Sequence, residues 1–446
     1  MTYKNNQRTK TLLEIFVLAG LVSLTSFPLG SVRADTSIEQ FNPIEESAEC
    51  STIGIPFDPS APFVLPEGYT QTVIANETAA GVNDLWDMNQ QNEKAIPFPD
   101  VFASAEDEAD RGRLLYTTTE LGSNGQVTVT DLETGEVQIL AQESYWNRLD
   151  GNKWTPWNTI LVGEEVSNDG DPDPNVANPN VHGLVYEIDP VTGDHEARPA
   201  IGSLAHEGIA IDKRGNVYVI DETTPGGIFR FVPDTYGDLS SGQLYAIEIT
   251  DDEGDKTGKA QWVPLNMDDV KTNARQAAIN AGASGWERPE DLDIIKETLF
   301  VSITSTDRVL AIELNKDVGE EFMVTNYVKA GENVPVEIDN AGDETDEQTG
   351  FDSPDNLAVT PSGDLVIVED NTPSDIWFAS SDKNKDGKAD EVVLFASMKD
   401  CRAEGTGILM GIGPYSNTLF VNQQHAGTPD GTSGGAPDLI IAITRN

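Results

Sequence analysis

Cysteine and histidine are scarce in this chain of 446 residues, which has two cysteines and four histidines. His182, His195, His206 and His425 show none of the paired spacings that are typical of zinc sites. The nearest glycine-serine stretch, Gly282-Ala-Ser-Gly285, is one residue short of the Gly-x-Ser-x-Gly nucleophile elbow. These absences argue against a zinc hydrolase and against a serine hydrolase.

Positive charge is equally scarce. The chain has 28 lysines and arginines against 76 aspartates and glutamates, so its formal net charge is −48. A nucleic-acid or anionic-membrane partner would require basic residues to neutralise its phosphates, so we expect neither. The acidic surplus is typical of a solvated acidic surface or of carboxylates that bind calcium, and the two can coexist.

The sequence has no long hydrophobic run apart from one near its N-terminus. The run Leu12–Leu24 follows the basic residues Lys4, Arg8 and Lys10, and Val32-Arg-Ala34 resembles a cleavage site. Residues 1–34 are therefore predicted to be a signal peptide, with Sec export favoured over Tat because the basic segment has no twin arginine. The mature chain, with a net charge of −51 after loss of four basic residues and one acid, is expected to be secreted or periplasmic, monomeric and without a membrane span.

The two cysteines lie far apart in the sequence, at Cys50 and Cys401. An isolated pair in an exported protein usually forms a disulfide. We therefore predict a Cys50–Cys401 bond, which would join the N-terminal part of the mature chain to its last part. The loop-entropy model gives such a long closure roughly 4–5 kcal/mol as an upper estimate.

Short apolar strands separated by Gly, Pro, Asn and Asp recur along the chain. They follow one unit, in which an alternating strand, a turn with Gly and a second strand ending in an acid precede a third strand. Clear copies are Gly208–Glu222, Leu292–Ile303, Asn356–Asp370 and Gly411–Asn422. Six such units predict an all-β fold, a six-bladed β-propeller. A β-sandwich would explain the strands but not the recurring unit.

A propeller is one cooperative domain, so we expect residues 67–446 to form it and residues 35–66 to be an N-terminal extension. The irregular spacing of the units indicates loop insertions, notably at Pro233–Gly285 and Gly319–Gly350. Helical periodicity is strong only in Asp268–Ala281, which predicts one short surface helix.

Acidic residues recur where predicted strands begin. In Gly285-Trp-Glu-Arg-Pro-Glu-Asp-Leu-Asp293, the charged residues Arg288, Glu290 and Asp291 precede a strand. Similar signatures occur in His206-Glu-Gly208, Ser353-Pro-Asp-Asn356, Ala403-Glu-Gly-Thr-Gly407 and the segment from Thr155 to Glu165. If they converge, they form a carboxylate cage for hard cations with an arginine beside it, which could bind and hydrolyse a phosphate ester.

A separate acidic loop begins at Asp382. Asp382, Asn384, Asp386 and Asp390, with Gly387 at the sixth place, are typical of the opening of an EF-hand loop, although Val393 stands where the twelfth-position glutamate would be. The pattern predicts a secondary calcium site outside a true EF-hand, and an acidic β-turn is the alternative.

Several stretches together resemble the PhoX alkaline phosphatases and their relatives. They occur in family order and comprise Trp154–Glu165, His182–Pro190, His206-Glu-Gly208, Arg288-Pro-Glu-Asp291, Ser353-Pro-Asp355 and Leu419–Gly427. The resemblance implies a six-bladed propeller with calcium and iron on its axis. It also implies that phosphomonoesters are hydrolysed without a covalent enzyme intermediate.

The resemblance also implies roles for individual residues. Glu207, Glu290 and Asp355 match metal-binding acids of the family, as does either Glu164 or Glu165. Strand alternation sends these two neighbours to opposite faces, so only one can bind the metal. Arg288 matches the arginine that faces the substrate phosphate. Asp150 stands nearest the place of a family cysteine that binds iron, and oxygen there favours harder ions.

The sequence thus predicts a secreted, metal-dependent phosphatase that acts on a small phosphate ester with calcium as cofactor, and with iron as the second metal that the resemblance implies. Two alternatives remain open. One is a calcium-dependent esterase or lactonase built on a propeller, and the other is a non-catalytic, calcium-stabilised propeller that binds a partner. Asp150 in the place of cysteine favours these two, whereas Arg288 favours the phosphatase.

Overall fold

Strands provide nearly all of the regular structure in the computed structural model of the chain. The described residues are 39–48, 50–51, 58–76, 86–91, 93, 96–97, 108–109, 111–166, 173–176, 181–314, 317–336, 345–346, 350–400, 402–425 and 437–446. The predicted signal peptide lies outside them. The predicted Cys50–Cys401 bond does too, because neither Cys401 nor the side chain of Cys50 is described.

In chain order the strands are β1 (Cys50–Ser51), β2 (Phe63–Val64), β3 (Tyr69–Asn76), β4 (Trp86–Gln91), β5 (Ile96–Pro97), β6 (Glu108–Ala109), β7 (Leu114–Thr119), β8 (Gln126–Asp131), β9 (Glu136–Gln142), β10 (Leu149–Trp154), β11 (Ile160–Glu164), β12 (Val185–Ile188), β13 (His195–Ala197), β14 (Ile209–Ile211), β15 (Val217–Ile220), β16 (Ile228–Thr235), β17 (Asp238–Gly254), β18 (Thr257–Pro264), β19 (Pro289–Ile295), β20 (Thr298–Ile303), β21 (Arg308–Glu313), β22 (Phe322–Lys329), β23 (Thr345–Asp346), β24 (Pro354–Val359), β25 (Leu365–Glu369), β26 (Asp375–Ala379), β27 (Val392–Met398), β28 (Glu404–Met410), β29 (Thr418–Gln424) and β30 (Leu439–Arg445). Helix α1 spans Met267–Ala281, and 3-10 turns lie at Thr304–Thr306 and Gly413–Tyr415.

The strands form antiparallel sheets that succeed one another along the chain. Three sheets have four strands, in the orders β4-β7-β8-β9, β10-β11-β12-β13 and β28-β29-β30-β3, and one has five, in the order β2-β27-β26-β25-β24. A nine-stranded sheet has the order β14-β15-β16-β17-β18-β22-β21-β20-β19. The fold is therefore all-β and propeller-like with one helix, as predicted, but the number of blades is less evident because one sheet holds nine strands.

The nine-stranded sheet arises from the insertion predicted at Pro233–Gly285. Strands β17 and β18 form a long hairpin, and β18 also pairs with β22, with Gly258 opposite Val324. Helix α1 follows the hairpin. Its N-terminus is capped by the side chain of Asn266, and it ends at Gly282, whose φ of 81° is the left-handed conformation that glycine readily adopts.

Two strands that are distant in the sequence pair in one sheet. Strand β3 pairs with β30 from Tyr69 opposite Arg445 to Asn76 opposite Leu439. The preceding segment, residues 39–48, packs on the sheet of β24–β27. There the ring of Phe41 contacts those of Phe378 and Phe395, with centroids 5.1 and 4.8 Å away.

One strand of each sheet lies innermost and shares a local distortion with its counterparts. In β19, Pro289 pairs with Ile303 and Leu292 with Val301, so β19 advances three residues while β20 advances two. The same one-residue β-bulge occurs at the start of β4, β10 and β24 and within β28. A bulge redirects the side chains beside it, and here those side chains include acids.

Among the described residues, no helix is both long enough and apolar enough to cross a membrane.

Candidate active site

Acidic side chains line a cavity of about 210 Å³ where the innermost strands begin. The described residues around it comprise ten carboxylates, one arginine, one histidine and one threonine. They are Asp87, Glu120, Asp150, Glu165, Glu207, Glu222, Arg288, Glu290, Asp355, Asp370, Glu404, Thr406 and His425. The cavity gathers Asp150, Glu165, Glu207, Arg288, Glu290 and Asp355 from the predicted site.

The cavity residues come from two repeated positions in the sheets. The first position is the beginning of the innermost strand, where the bulges lie. It supplies Asp87, Asp150, Glu290, Asp355 and Glu404, and Glu207 stands just before β14. The second position is the end of the next strand. It supplies Glu120, Glu165, Glu222, Asp370 and His425.

Backbone geometry ties the two positions together. Arg148, Arg288 and Ser353 each stand two residues before a cavity acid, and each has a left-handed φ, between 41° and 52°. Their carbonyl oxygens accept hydrogen bonds from N–H groups of the second position, which are those of Glu165, Thr304 and Asp370. Non-glycine residues are held in this conformation only where the surroundings enforce it, and such residues concentrate at functional sites.

Glu207, Glu290 and Asp355 form the centre of the cavity. One carboxylate oxygen from each lies within 4.8 Å of the others, and all three residues are buried. Burial raises the pKa of Glu207 and Asp355 well above the ordinary range, and the carboxylate of Glu290 adds to both shifts. Three carboxylates this close repel one another unless protons or a cation neutralise them.

Asp87 and Asp150 lie beside this centre. Burial raises the pKa of Asp87 to about 7, with a further contribution from Glu120. Burial and the carboxylate of Asp87 also raise the pKa of Asp150. Asp87 accepts a hydrogen bond from the hydroxyl of Thr406, whereas the buried Oδ1 of Asp150 has no hydrogen-bond partner among the described residues. Asp150 therefore offers an oxygen that is still available to a ligand.

Arg288 lies over the acidic cavity and is held by two of its carboxylates. Its Nε donates a 2.8 Å hydrogen bond to Glu222. Its Nη2 lies 2.8 Å from Oε1 of Glu290, without the geometry of a hydrogen bond. Burial lowers the pKa of Arg288, but the carboxylates of Glu290 and Glu222 raise it by more, so the pKa of Arg288 lies above its ordinary value. The side chain is 41% exposed, against 2% for that of Glu290, so Arg288 is a fixed cation that solvent can still reach.

The structure separates the two neighbouring glutamates that sequence alone could not distinguish. Glu165 lines the cavity. The carboxylate of Glu164 lies elsewhere, since its two oxygens accept the backbone N–H groups of Asn147 and Leu184 at 3.2 and 3.1 Å. Glu164 thus stabilises the backbone around β10–β12.

The acidic loop at Asp382 is organised mainly by its own backbone. Asp382 accepts hydrogen bonds from the N–H groups of Asp386 and Gly387 at 3.2 and 2.8 Å, and Asn384 accepts one from Asp386 at 2.9 Å. Among the described residues, the group of three acidic side chains close enough to share an ion is Glu207, Glu290 and Asp355. Asp382, Asp386 and Asp390 form no such group, and calcium at this loop stays a prediction.

Sequence reasoning missed seven of the cavity residues. They are Asp87, Glu120, Glu222, Asp370, Glu404, Thr406 and His425. A signal was present for three of them, because Glu222 and Asp370 end the second strand of recognised units and Glu404 lies in one of the acidic signatures. Asp291, which follows Glu290, faces away from the cavity and accepts the N–H groups of Leu292 and Leu357.

A family comparison connects this geometry to an activity. The model of the family "Alkaline phosphatase PhoX" matches residues 151–427, which is well over half of the chain and includes most of the cavity.

The chain belongs to the PhoX alkaline phosphatase family.

Membership in the PhoX family makes the chain a phosphatase of the phosphoric monoester hydrolase class, as predicted. The substrate class that follows is a small phosphate ester. No curated protein matches the sequence of the chain.

One solved structure shows the same fold as this PhoX family member. Pseudomonas fluorescens PhoX in complex with vanadate, a transition state analogue, matches with a TM-score of 0.61 and 18% identity, over 90% of this chain and 98% of that one. A luciferin-regenerating enzyme (TM-score 0.45, 12% identity, 84% and 95% coverage) and a putative gluconolactonase (0.43, 11%, 86% and 94%) are less similar. At these identities the likeness concerns the fold alone.

The cavity of this PhoX family member fits a bound cation. Its carboxylates are buried and crowded, Asp150 has a buried oxygen without a partner, and Arg288 is the one arginine among the described residues that line it. Oxygen ligands of this kind are preferred by hard cations such as calcium. The described residues of the cavity therefore form a candidate acidic metal site.

Proposed function

We propose that the chain is an exported, metal-dependent phosphatase in which the cavity carboxylates hold cations and Arg288 binds the phosphate of a phosphomonoester. The observation that carries the proposal is the composition of the cavity, with ten carboxylates around about 210 Å³ and a single arginine at its exposed side. Without cations such a cavity repels a phosphate dianion, so cations are a requirement of the proposed activity.

Glu207, Glu290 and Asp355 are the proposed centre of the metal site, and Asp150 and Glu165 are proposed ligands at its flank. Their donor atoms are all oxygen, which favours calcium. Iron is the second metal to be tested, because the family resemblance implies it. When bound, the cations supply positive charge to the phosphate oxygens and make a water molecule more acidic.

Arg288 is positioned to hold the substrate before the reaction. The carboxylates of Glu222 and Glu290 hold the guanidinium in place. Little reorganisation of Arg288 is therefore needed when a phosphate arrives from solvent. A guanidinium can donate two parallel hydrogen bonds to phosphate oxygens, which orients the phosphorus as well as binding it. Charge that develops on the phosphoryl oxygens would be stabilised by the same group.

The nine-stranded sheet is consistent with a six-bladed ring. In its first half the strands follow from β14, the innermost, to β17, the outermost. In its second half they follow from β22, the outermost, to β19, the innermost, and β18 lies between the two halves. We infer two four-stranded blades joined at their outer edges by the inserted hairpin. Together with the other four blade sheets this gives six. Export through residues 1–34 and a monomeric state complete the proposal.

The test compares two site variants in the mature chain, supplied with calcium and with or without iron. Arg288→Ala should keep its bound metal and lose about 10²–10³-fold in the rate of p-nitrophenyl phosphate hydrolysis, because one preorganised charge at the phosphoryl group is removed. Glu290→Gln should lose metal, measured by elemental analysis, and activity with it.

Arg113→Ala and Glu133→Gln are matched controls, because these residues pair with each other far from the cavity, at 2.9 Å. Both should retain wild-type metal content and activity. Absence of turnover by the wild type with every metal supplied would refute the phosphatase proposal and leave the esterase and binding functions as candidates. An active wild type with an unaffected Arg288→Ala variant would refute the role of Arg288.

A further inference from the structure

A second pocket, of about 450 Å³, lies between the turn of the β17–β18 hairpin and strands β21 and β22. Its charged residues are the basic Lys256, Arg308 and Lys329 and the acidic Asp252, Asp255 and Glu287. Cations and anions are thus equal in number here, whereas ten carboxylates surround one arginine in the acidic cavity. In a chain with 76 acidic and 28 basic residues, such a local excess of basic residues over the average favours the binding of an anion.

The register of the strands places this pocket beside Arg288. Pro289, the next residue, pairs with Ile303, and Ile303 pairs with Arg308 in the following strand. Neighbouring strands lie about 4.8 Å apart, so the Cα atoms of Pro289 and Arg308 are roughly 10 Å apart. Glu287, which precedes Arg288, lines the pocket itself. A small molecule whose phosphate is held by Arg288 is therefore close enough to reach the pocket.

Arg308 is buried, yet one nitrogen of its guanidinium has no hydrogen bond. Its Nε donates to the hydroxyl of Thr306 at 2.9 Å, and its Nη1 donates to the carbonyl oxygen of Asp255 at 2.7 Å. Its Nη2 lies 3.8 Å from Oε2 of Glu287, which is too far for a hydrogen bond, and has no other partner among the described residues. The residue as a whole is 2% exposed. Nη2 therefore lacks an acceptor, and a carboxylate or phosphate oxygen in the pocket would supply one.

The charges around Arg308 leave room for an anion. Burial lowers the pKa of Arg308, and the carboxylates of Asp255 and Glu287 offset only part of this effect. Lys256 donates to Glu287 at 2.6 Å, and Lys329 donates to Asp255 at 2.6 Å, so these ion pairs hold the basic side chains in place. Lys329 also pairs with Glu332. Because an ammonium has three N–H donors, each lysine keeps at least one N–H that has no acceptor among the described residues.

We propose that Arg308, together with Lys256 and Lys329, forms a subsite for a second anionic group of the substrate. This inference rests on the proposed function and names its substrate class, a small phosphomonoester that carries a second phosphate or a carboxylate. Arg308 is then a residue that determines specificity. It binds the part of the substrate that is remote from the reacting phosphorus, while Arg288 binds the phosphate that is hydrolysed.

Fructose 1,6-bisphosphate and fructose 6-phosphate provide a matched test, because they differ only in the second phosphate. The wild type should have the higher kcat/KM for the bisphosphate. Arg308→Gln should lower kcat/KM for the bisphosphate on the order of 10–100-fold, mainly through KM, since a hydrogen bond to a charged group is lost. The same variant should hydrolyse fructose 6-phosphate at nearly the wild-type rate. Comparing each variant with the wild type removes the statistical advantage of a substrate with two phosphates.

Two other variants make the test independent of the stability of the Arg308 variant. Lys256→Gln removes a cation whose side chain is 36% exposed, so it should fold normally and lose kcat/KM for the bisphosphate in the same direction. Lys213→Gln is the matched control, because Lys213 is 75% exposed and pairs with Glu297 outside the pocket. It should hydrolyse both substrates normally. Metal content and melting temperature should stay unchanged in both lysine variants.

A separate anion in the pocket would give a different result. Inorganic phosphate would then inhibit hydrolysis of fructose 6-phosphate with a noncompetitive component that Arg308→Gln removes, and the wild type would not prefer the bisphosphate. This outcome would refute the substrate subsite and assign the pocket to a free anion.

The remaining outcomes also contradict the inference. Equal losses for both substrates in Arg308→Gln and Lys256→Gln would show that the pocket only supports Arg288. No loss in either variant would show that its charges form ion pairs and nothing more. A wild type that hydrolyses p-nitrophenyl phosphate but neither sugar ester would refute the subsite alone. A wild type that hydrolyses none of the three with any metal would refute the proposed function itself, and this result is distinguishable because it requires no variant.

Discussion

Three residues in left-handed backbone conformation connect the beginning of an innermost strand to the end of the next strand. Arg148, Arg288 and Ser353 each precede a cavity acid by two residues, and the carbonyl oxygen of each accepts a hydrogen bond from a backbone N–H at the end of the next strand. Left-handed backbone costs a non-glycine residue roughly 1–2 kcal/mol. Because this cost recurs at three equivalent places, we infer that the cavity requires a fixed position of the innermost strand relative to the next strand, at the expense of local stability.

Neighbouring glutamates at the end of β11 should respond oppositely to substitution. Glu164→Ala would leave the N–H groups of Asn147 and Leu184 without their acceptor, so we expect a loss on the order of 2 kcal/mol in unfolding free energy with metal content intact. Glu165→Gln should instead lower metal content and phosphatase activity with little change in stability.

Thermal melting, elemental analysis and hydrolysis of p-nitrophenyl phosphate on the same preparations separate the two effects. If Glu164→Ala loses metal while Glu165→Gln retains it, the assignment of these residues is wrong.

The sequence identified the cavity acids that begin strands better than those that end them. Glu207, Glu290 and Asp355 stand in short motifs that precede apolar strands, so their position was evident. Acids such as Glu120 follow a strand and are indistinguishable from ordinary turn residues until the sheets are assembled. His425 lies in the family-like stretch Leu419–Gly427, but the cavity residues that it faces are distant in the chain.

Innermost strands differ from the rest in the polarity of their side chains. Strand β4 reads Trp-Asp-Met-Asn-Gln-Gln, yet all six residues are buried. Polar groups of β4 bond to a neighbouring sheet, as in the 2.8 Å hydrogen bond that the side-chain amide of Asn89 donates to that of Asn422. A strand of this kind has no alternating apolar pattern, which explains why the strand that contains Asp87 was not predicted from the sequence. The helix, which has a clear periodicity, was predicted within one residue of Met267–Ala281.

Gly407 is the point where strands β28 and β4 come closest. It has a φ of 60°, and a Cβ at this position would lie 2.2 Å from the carbonyl oxygen of Asp87. Gly407→Ala should therefore displace β4 and the carboxylate of Asp87, and we expect both the melting temperature and the phosphatase activity to fall.

Gly319→Ala is the control, because Gly319 also has a positive φ, of 92°, but no atom within 4 Å of the added Cβ. It should show only the cost of backbone strain, roughly 1–2 kcal/mol, with activity retained. Similar losses in the two variants would mean that strain alone, and not the contact with Asp87, explains the effect of Gly407→Ala.

Across the whole molecule, negative charge is concentrated as well as abundant. The chain carries a formal −48, and ten of its carboxylates share one cavity. Cations bound there would stabilise the folded state, by about 2.7 kcal/mol at a hundred times the dissociation constant. We expect exhaustive chelation to lower the melting temperature by several degrees and calcium to restore it.

Sodium chloride at equal ionic strength is the control, since it screens surface charges without binding specifically. Glu290→Gln should respond less to chelation than the wild type. A melting temperature that does not change on chelation would contradict the metal site.

The pairing of β3 with β30 determines when the fold can be completed. Residues 69–76 are synthesised long before their partners at 439–445. The sheet that joins β3 to β30 therefore cannot assemble until residues 439–445 have been made. A polypeptide that is threaded through a translocation channel during or soon after synthesis would cross it before this sheet forms, and the ring would close only on the far side.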